Sequence, residues 1–87
     1  MKSASVVLSA PTGLHARPAG ELVKLVKGFE GSVVKIGTSG RIVNAASMLS
    51  LLSLGIKSGT TLLVRVEGGD EQAVLDSVCA FIQAIKD

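Results

Sequence analysis

Residues 60–67 read TTLLVRVE. Leu62, Val64 and Val66 alternate with Leu63, Arg65 and Glu67, which is the two-residue period of a strand with one dry face and one wet face. A sheet built from such strands needs a covering layer on one side only. For a chain of 87 residues, that points to a single two-layer domain spanning residues 1–87, with helices as the cover. The following segment supplies one. Asp70 suits an N-cap, Glu71 stands in the first turn and Lys86 in the last. Val74, Val78, Phe81 and Ile85 recur at helical spacing and predict one buried stripe.

The rest of the chain repeats this alternation of elements. Residues 3–10 predict a strand with Val6, Leu8 and Ala10 on one face. Residues 16–27 predict a helix that buries Ala19, Leu22, Val23 and Val26, with Pro18 in its first turn and Gly28 at its end. Strands over 32–36 and 41–45 flank a glycine-bearing turn at 37–40, so they form a hairpin. Ser47 is the expected N-cap of a short helix carrying Met48, Leu51 and Leu52, ended by Gly55. The predicted order is β-α-β-β-α-β-α, an α+β layer fold in which a four-stranded sheet is covered on one face.

Composition narrows the function. The apolar residues are almost all Val, Leu, Ile and Ala, and Phe29 and Phe81 are the only aromatics, so base stacking on aromatic platforms is not expected. The net charge is +2 with scattered Lys and Arg, too thin for a nucleic-acid footprint and compatible with docking on acidic proteins. Cys79 is the lone cysteine. It allows no internal disulfide or cysteine metal cluster and reads as a buried small hydrophobe. No apolar run approaches the ~20 residues of a membrane span, and the N-terminal run is too short for a signal-peptide core. A cytoplasmic protein without membrane insertion is the expectation.

The chemistry-bearing stretch is GLHARPA, residues 13–19. His15 falls where the first helix begins. Unpartnered N–H groups and the positive end of the helix dipole favour an anion there by roughly 0.3–1 kcal/mol. Arg17 adds a guanidinium able to grip phosphate oxygens, and Gly13 frees the loop to approach closely. No second histidine exists to complete a metal site, and no acid or nucleophile elbow completes a catalytic triad. These parts fit either an anion-binding module or an imidazole that accepts a phosphoryl group and passes it on.

GLHARPA, with SMLSLLSLG ahead of a GT-led strand, closely resembles the HPr family, the histidine-containing phosphocarriers of the bacterial phosphoenolpyruvate-dependent sugar phosphotransferase system. The resemblance runs over the whole chain. It implies an open-faced β-sandwich, a four-stranded antiparallel sheet with three helices on one face. It implies that His15 takes a phosphoryl group on Nδ1 from phosphorylated enzyme I and gives it to IIA domains of sugar permeases. Arg17 and the backbone N–H groups of Ala16 and Arg17 would hold the phosphate, with no cofactor. Such a protein is a monomeric carrier, not an independent enzyme. Leu14, Met48, Leu49 and Leu52 match the apolar docking surface, and Arg17, Lys24, Lys27 and Lys57 its basic rim. Ser47 matches a serine that a dedicated HPr kinase/phosphorylase modifies in Gram-positive members, which recruits a catabolite-control regulator. Here Ala46 stands where a lysine often precedes that serine. A related carrier serving a nitrogen-regulatory chain is the alternative within the family. The purely regulatory variant has lost the histidine that this chain keeps.

Overall fold

Alternating aliphatic residues generate the sheet, and amphipathic segments cover it. The computed structural model describes residues 1–38 and 40–85. The order is β1 (Lys2–Leu8), α1 (Ala16–Lys27), β2 (Val33–Thr38), β3 (Arg41–Asn44), α2 (Met48–Ser53), β4 (Thr60–Glu67) and α3 (Glu71–Ala84). The strands lie in the order β1-β4-β2-β3, with every neighbouring pair antiparallel. This is the open-faced, four-stranded sandwich with three helices.

β4 pairs on both sides, with β1 from Lys2↔Val66 to Leu8↔Thr60 and with β2 from Val33↔Glu67 to Gly37↔Leu63. Its inward residues Leu62, Val64 and Val66 are essentially inaccessible to water, as are Leu8, Val34 and Ile36 on the neighbouring strands. Leu22 of α1, Leu51 of α2 and Val78 and Ile82 of α3 complete the layer. Full burial of each such side chain contributes about 1.5–3 kcal/mol. The core cluster is built of Val, Leu, Ile and Ala, Gly13, Pro18 and Gly37 are buried beside it, and both phenylalanines are half-buried at the margin. The outer side of the sheet carries Ser5, Val7, Val33, Lys35, Ile42, Leu63 and Arg65 toward solvent.

Several boundaries differ from the sequence reading, each for a local reason. Ala10 is buried but lies beyond β1, because its carbonyl accepts the Gly13 N–H at 3.0 Å in a turn. Gly37 and Thr38 extend β2 instead of forming the turn, since Gly37 is paired with both Ile42 and Leu63 and Thr38 with Arg41. Ala45 is buried just past β3, where the Asn44 side chain accepts the Ala46 N–H at 2.8 Å and bends the chain. In α3 the buried stripe is Val74, Leu75, Val78 and Ile82. Phe81 sits about 75° from its centre at 100° per residue and stays half-buried. Ile85 is buried as expected, but just beyond the helix end. Cys79 is likewise half-buried, with its thiol pKa pushed up by desolvation and then by Asp76, so it is a poor nucleophile. Lys86, expected in the last turn of α3, lies outside the described residues. Among the described residues, no helix is long and apolar enough to cross a membrane.

The start of β1 is fastened to the start of α3. The N-terminal ammonium pairs with Glu71 Oε1 at 3.0 Å, and Lys2 Nζ donates to Gln72 Oε1 at 2.9 Å. The Gly68 N–H donates to Glu71 Oε2 at 2.9 Å. That backbone bond first, and the ammonium second, hold the Glu71 carboxyl below its ordinary pKa. A folded-state pKa that is depressed adds stability above the unfolded value, and the gain is lost as pH falls through the folded value. Urea titrations of the protein and of Glu71→Gln should therefore differ most near neutrality and converge below the usual glutamate range. A gap that stays constant with pH would assign the loss to packing instead.

Candidate functional site

Gly13 determines where His15 stands. Its φ of +71° belongs to the left-handed region, and a Cβ there would collide with the Ile56 carbonyl oxygen and lie 3.0 Å from Lys57 Cα. The loop between β1 and α1 thus presses directly on the loop between α2 and β4. The Leu14 N–H seals this seam by donating to Ile56 O at 3.1 Å, and the Leu14 side chain is buried at 6% exposure. Leu14 was expected on the docking surface. It is a core residue, because anchoring the loop from beneath turns its side chain inward.

His15 follows as the N-cap of α1, with extended backbone at φ −97° and ψ −174°. Its carbonyl accepts the Ala19 N–H at 3.0 Å and closes the first turn. Its imidazole makes no capping hydrogen bond and is half-buried. The helix's own bonding therefore begins at Ala19. Pro18 has no N–H, so it adds no donor to the first turn. Ala16 and Arg17 are exposed, and the first turn of α1 holds no acidic residue to oppose an anion. Lys24 and Lys27 are exposed in the last turn, about 14 and 18 Å along the axis from His15. At that distance they do not touch a group on the imidazole. Exposed Lys57 lies next to the Gly13 contact.

α2 forms the second wall. The Met48 Sδ atom lies 3.8 Å from where a Cβ of Gly20 would be, about one and a half turns along α1 from His15. A methyl group at position 20 would meet Met48 at ordinary van der Waals distance. Met48, Leu49 and Leu52 are exposed, Leu49 at 81%, while Leu51 between them is fully buried. An apolar surface thus stands beside the start of α1, of a kind that marks protein contacts. Ser47 caps α2, with Oγ accepting the Ser50 N–H at 3.3 Å and its carbonyl accepting the Leu51 N–H at 3.0 Å. The far end of α2 is held by Arg41, which donates to the Ser53 carbonyl at 3.3 Å and to Ser53 Oγ at 3.0 Å.

Two supports were absent from the sequence reading. The Ile56 carbonyl is backbone and leaves no residue-type signal. Arg41 reads as an ordinary strand cation until the hairpin delivers it to Ser53. Among the described residues, no three His, Cys, Asp or Glu side chains gather as metal ligands.

Comparison with known proteins gives the geometry a setting. Residues 2–84 match a family model described as the PTS HPr component phosphorylation site. The chain is 34% identical over 83 residues to phosphocarrier protein HPr of Mycoplasma pneumoniae, covering 95% of this chain and 94% of that one. It is 39% identical over 83 residues to the HPr-like protein Crh of Halalkalibacterium halodurans, covering 95% and 98%. The crystal structure of a phosphocarrier protein HPr from Bacillus anthracis superimposes with a TM-score of 0.88 at 32% identity, covering 94% of this chain and 96% of that one.

The seam at Gly13 is testable directly. Gly13→Ala combines a left-handed backbone with a collision against backbone atoms. It should cost about 2 kcal/mol or more in denaturant titration. It should also shift the amide resonances of Leu14 and His15. Retention of stability and of both resonances would show that the loop does not depend on this contact.

Proposed function

The chain belongs to the HPr phosphocarrier family of the phosphotransferase system, and from that membership we propose that His15 is the residue that carries the phosphoryl group. The observation that supports this most strongly is the position of the imidazole. It stands at the N-cap of α1 without serving as the cap, on a loop locked by Gly13 and Leu14. A nucleophile held still at a helix start needs little reorganisation to meet a phosphorus atom, so positioning and charge stabilisation carry most of the catalysis.

In the proposed reaction, the Nδ1 lone pair attacks the phosphorus of the phosphohistidine on enzyme I. The N–P bond on the donor breaks as the N–P bond on His15 forms, and the donor imidazole keeps the electron pair. The same exchange then transfers the group to a histidine of a IIA domain. The amides at positions 16 and 17 and the Arg17 guanidinium stabilise the equatorial oxygens. Met48, Leu49 and Leu52 provide the apolar contact, and Lys24, Lys27 and Lys57 the cationic surround. The protein is consumed and regenerated in each cycle, which makes it a carrier and not an independent enzyme, acting in the cytoplasm on sugar uptake. Retention of His15 favours this role over a purely regulatory one.

Ser47 is the proposed control point. A phosphate on its Oγ would place a dianion among Met48, Leu49 and Leu52, where an apolar partner surface would have to desolvate it.

Incubation with enzyme I and labelled phosphoenolpyruvate should place acid-labile, alkali-stable label on the protein and none on His15→Ala. Label surviving that substitution, or phosphate binding without labelling, would reject the carrier assignment. Arg17→Ala should fold normally and slow transfer about a hundredfold; an unchanged rate removes Arg17 from the mechanism. Ser47→Asp should weaken enzyme I binding about tenfold in calorimetry, and equal affinity would leave the control role without a physical basis.

A further inference from the structure

The side of the sheet turned away from the helices is not used by the proposed relay. Its residues stand in rows fixed by strand register. One row runs Ser3, Arg65, Lys35 and Asn44, and the next runs Ser5, Leu63, Gly37 and Ile42. The first row places two cations directly opposite each other, an arrangement that destabilises a sheet unless something neutralises it. Among the described residues, neither Lys35 nor Arg65 has a carboxylate within ion-pair distance, and Glu67 on the same face pairs with neither. Together with Glu67 and Val33 they line a hollow of about 240 Å³.

The second row is missing a side chain in its middle. A Cβ on Gly37 would strike the Arg41 carbonyl oxygen and lie 2.7 Å from Ile42 Cα, so the position stays bare. The Ile42 side chain leans over this buried glycine, and on the same face lies a trough of about 560 Å³ whose apolar walls are Leu63 and Ile42, with Ser5 and Thr61 at its margin. Arg41 borders it, but its guanidinium is turned to Ser53. Successive rows on one face are about 6.8 Å apart. An unneutralised cation pair therefore stands one step from an apolar trough within the size range of small-molecule sites.

We propose that this open face binds a small amphipathic anion, its carboxylate or sulfonate between Lys35 and Arg65 and its apolar body in the trough lined by Leu63 and Ile42. Charge complementarity selects this occupant. A second copy of the chain would bring the same cation pair, and a bilayer would have to accept Ser3, Ser5, Asn44 and Glu67 at its surface. A compact anion satisfies the cations and leaves those polar groups in water.

Octanoate is the probe, titrated into the full-length ¹⁵N-labelled protein. Amide shifts are expected at Lys35, Gly37, Ile42, Leu63 and Arg65, and none at His15 or from Met48 to Leu52. Octylammonium, which lacks the anion, and propionate, which lacks the chain, should each bind about tenfold more weakly or worse. Arg65→Gln should weaken octanoate about tenfold while leaving labelling of His15 unchanged, and His15→Ala should bind octanoate normally. Equal binding of octanoate and octylammonium would reduce the face to a nonspecific apolar patch and overturn the proposal. So would shifts confined to the α1–α2 surface. Shifts on this face with anionic phospholipid vesicles but not with octanoate would replace the small anion by a bilayer.

Discussion

The hydrogen bond from the Leu14 N–H to the Ile56 carbonyl joins two loops that are distant in sequence and fixes the start of α1 against the start of β4. Everything chemical about the molecule depends on that seam. The backbone can come close enough only because residue 13 has no Cβ, and it stays there because Leu14 is buried beneath it. His15 can therefore end an extended segment and open a helix with its ring uncommitted. If the loop stood off by even an ångström, the imidazole and the helix amides would no longer share one point in space, and orientation carries much of the rate in group transfer.

The seam in turn rests on the sheet. β4 lies between β1 and β2, and its three inward aliphatic residues are among the least accessible in the fold. β1 leads into the His15 loop and the Ile56 loop leads into β4, so the pairing of Leu8 with Thr60 brings both loops to the same end of the sheet. The Gly59 N–H donating to the Leu8 carbonyl at 2.7 Å continues that pairing one step further. The His15 loop is thus an extension of the longest strand pair, over a core of Val, Leu, Ile and Ala with Phe29 and Phe81 packed only against its margin.

Much of this was legible in the residues. The alternation in 60–67 announced a one-faced sheet, and the periodicities of 16–27 and 70–85 announced its cover. Pro18 marked the first turn of α1, and Ser47 and Asp70 are the N-caps they were expected to be. What stayed hidden depends on partners distant in the chain. Gly37 looked like a turn residue because glycine usually marks one, yet it pairs with both neighbouring strands and β3 leaves no room for a side chain there. Leu14 and Leu52 are both leucines at element edges, and only the packing shows that one anchors a loop while the other faces solvent. Phe81 obeys helical spacing, but the stripe is centred by Val78 and Ile82, which period alone does not reveal.

The two faces of the sheet answer to different constraints. Toward the helices, the inward residues make up the buried cluster on which α1 packs. Away from the helices, Lys35, Arg65, Leu63 and Ile42 lie outside that cluster. Stability therefore does not dictate their identity, and a facing pair of like charges is a choice that stability alone would disfavour. Arg41 is the exception that joins the two sides, since it borders the trough while its guanidinium holds the last turn of α2. Its guanidinium is committed to α2, so the cations that the outer face offers an anion are Lys35 and Arg65.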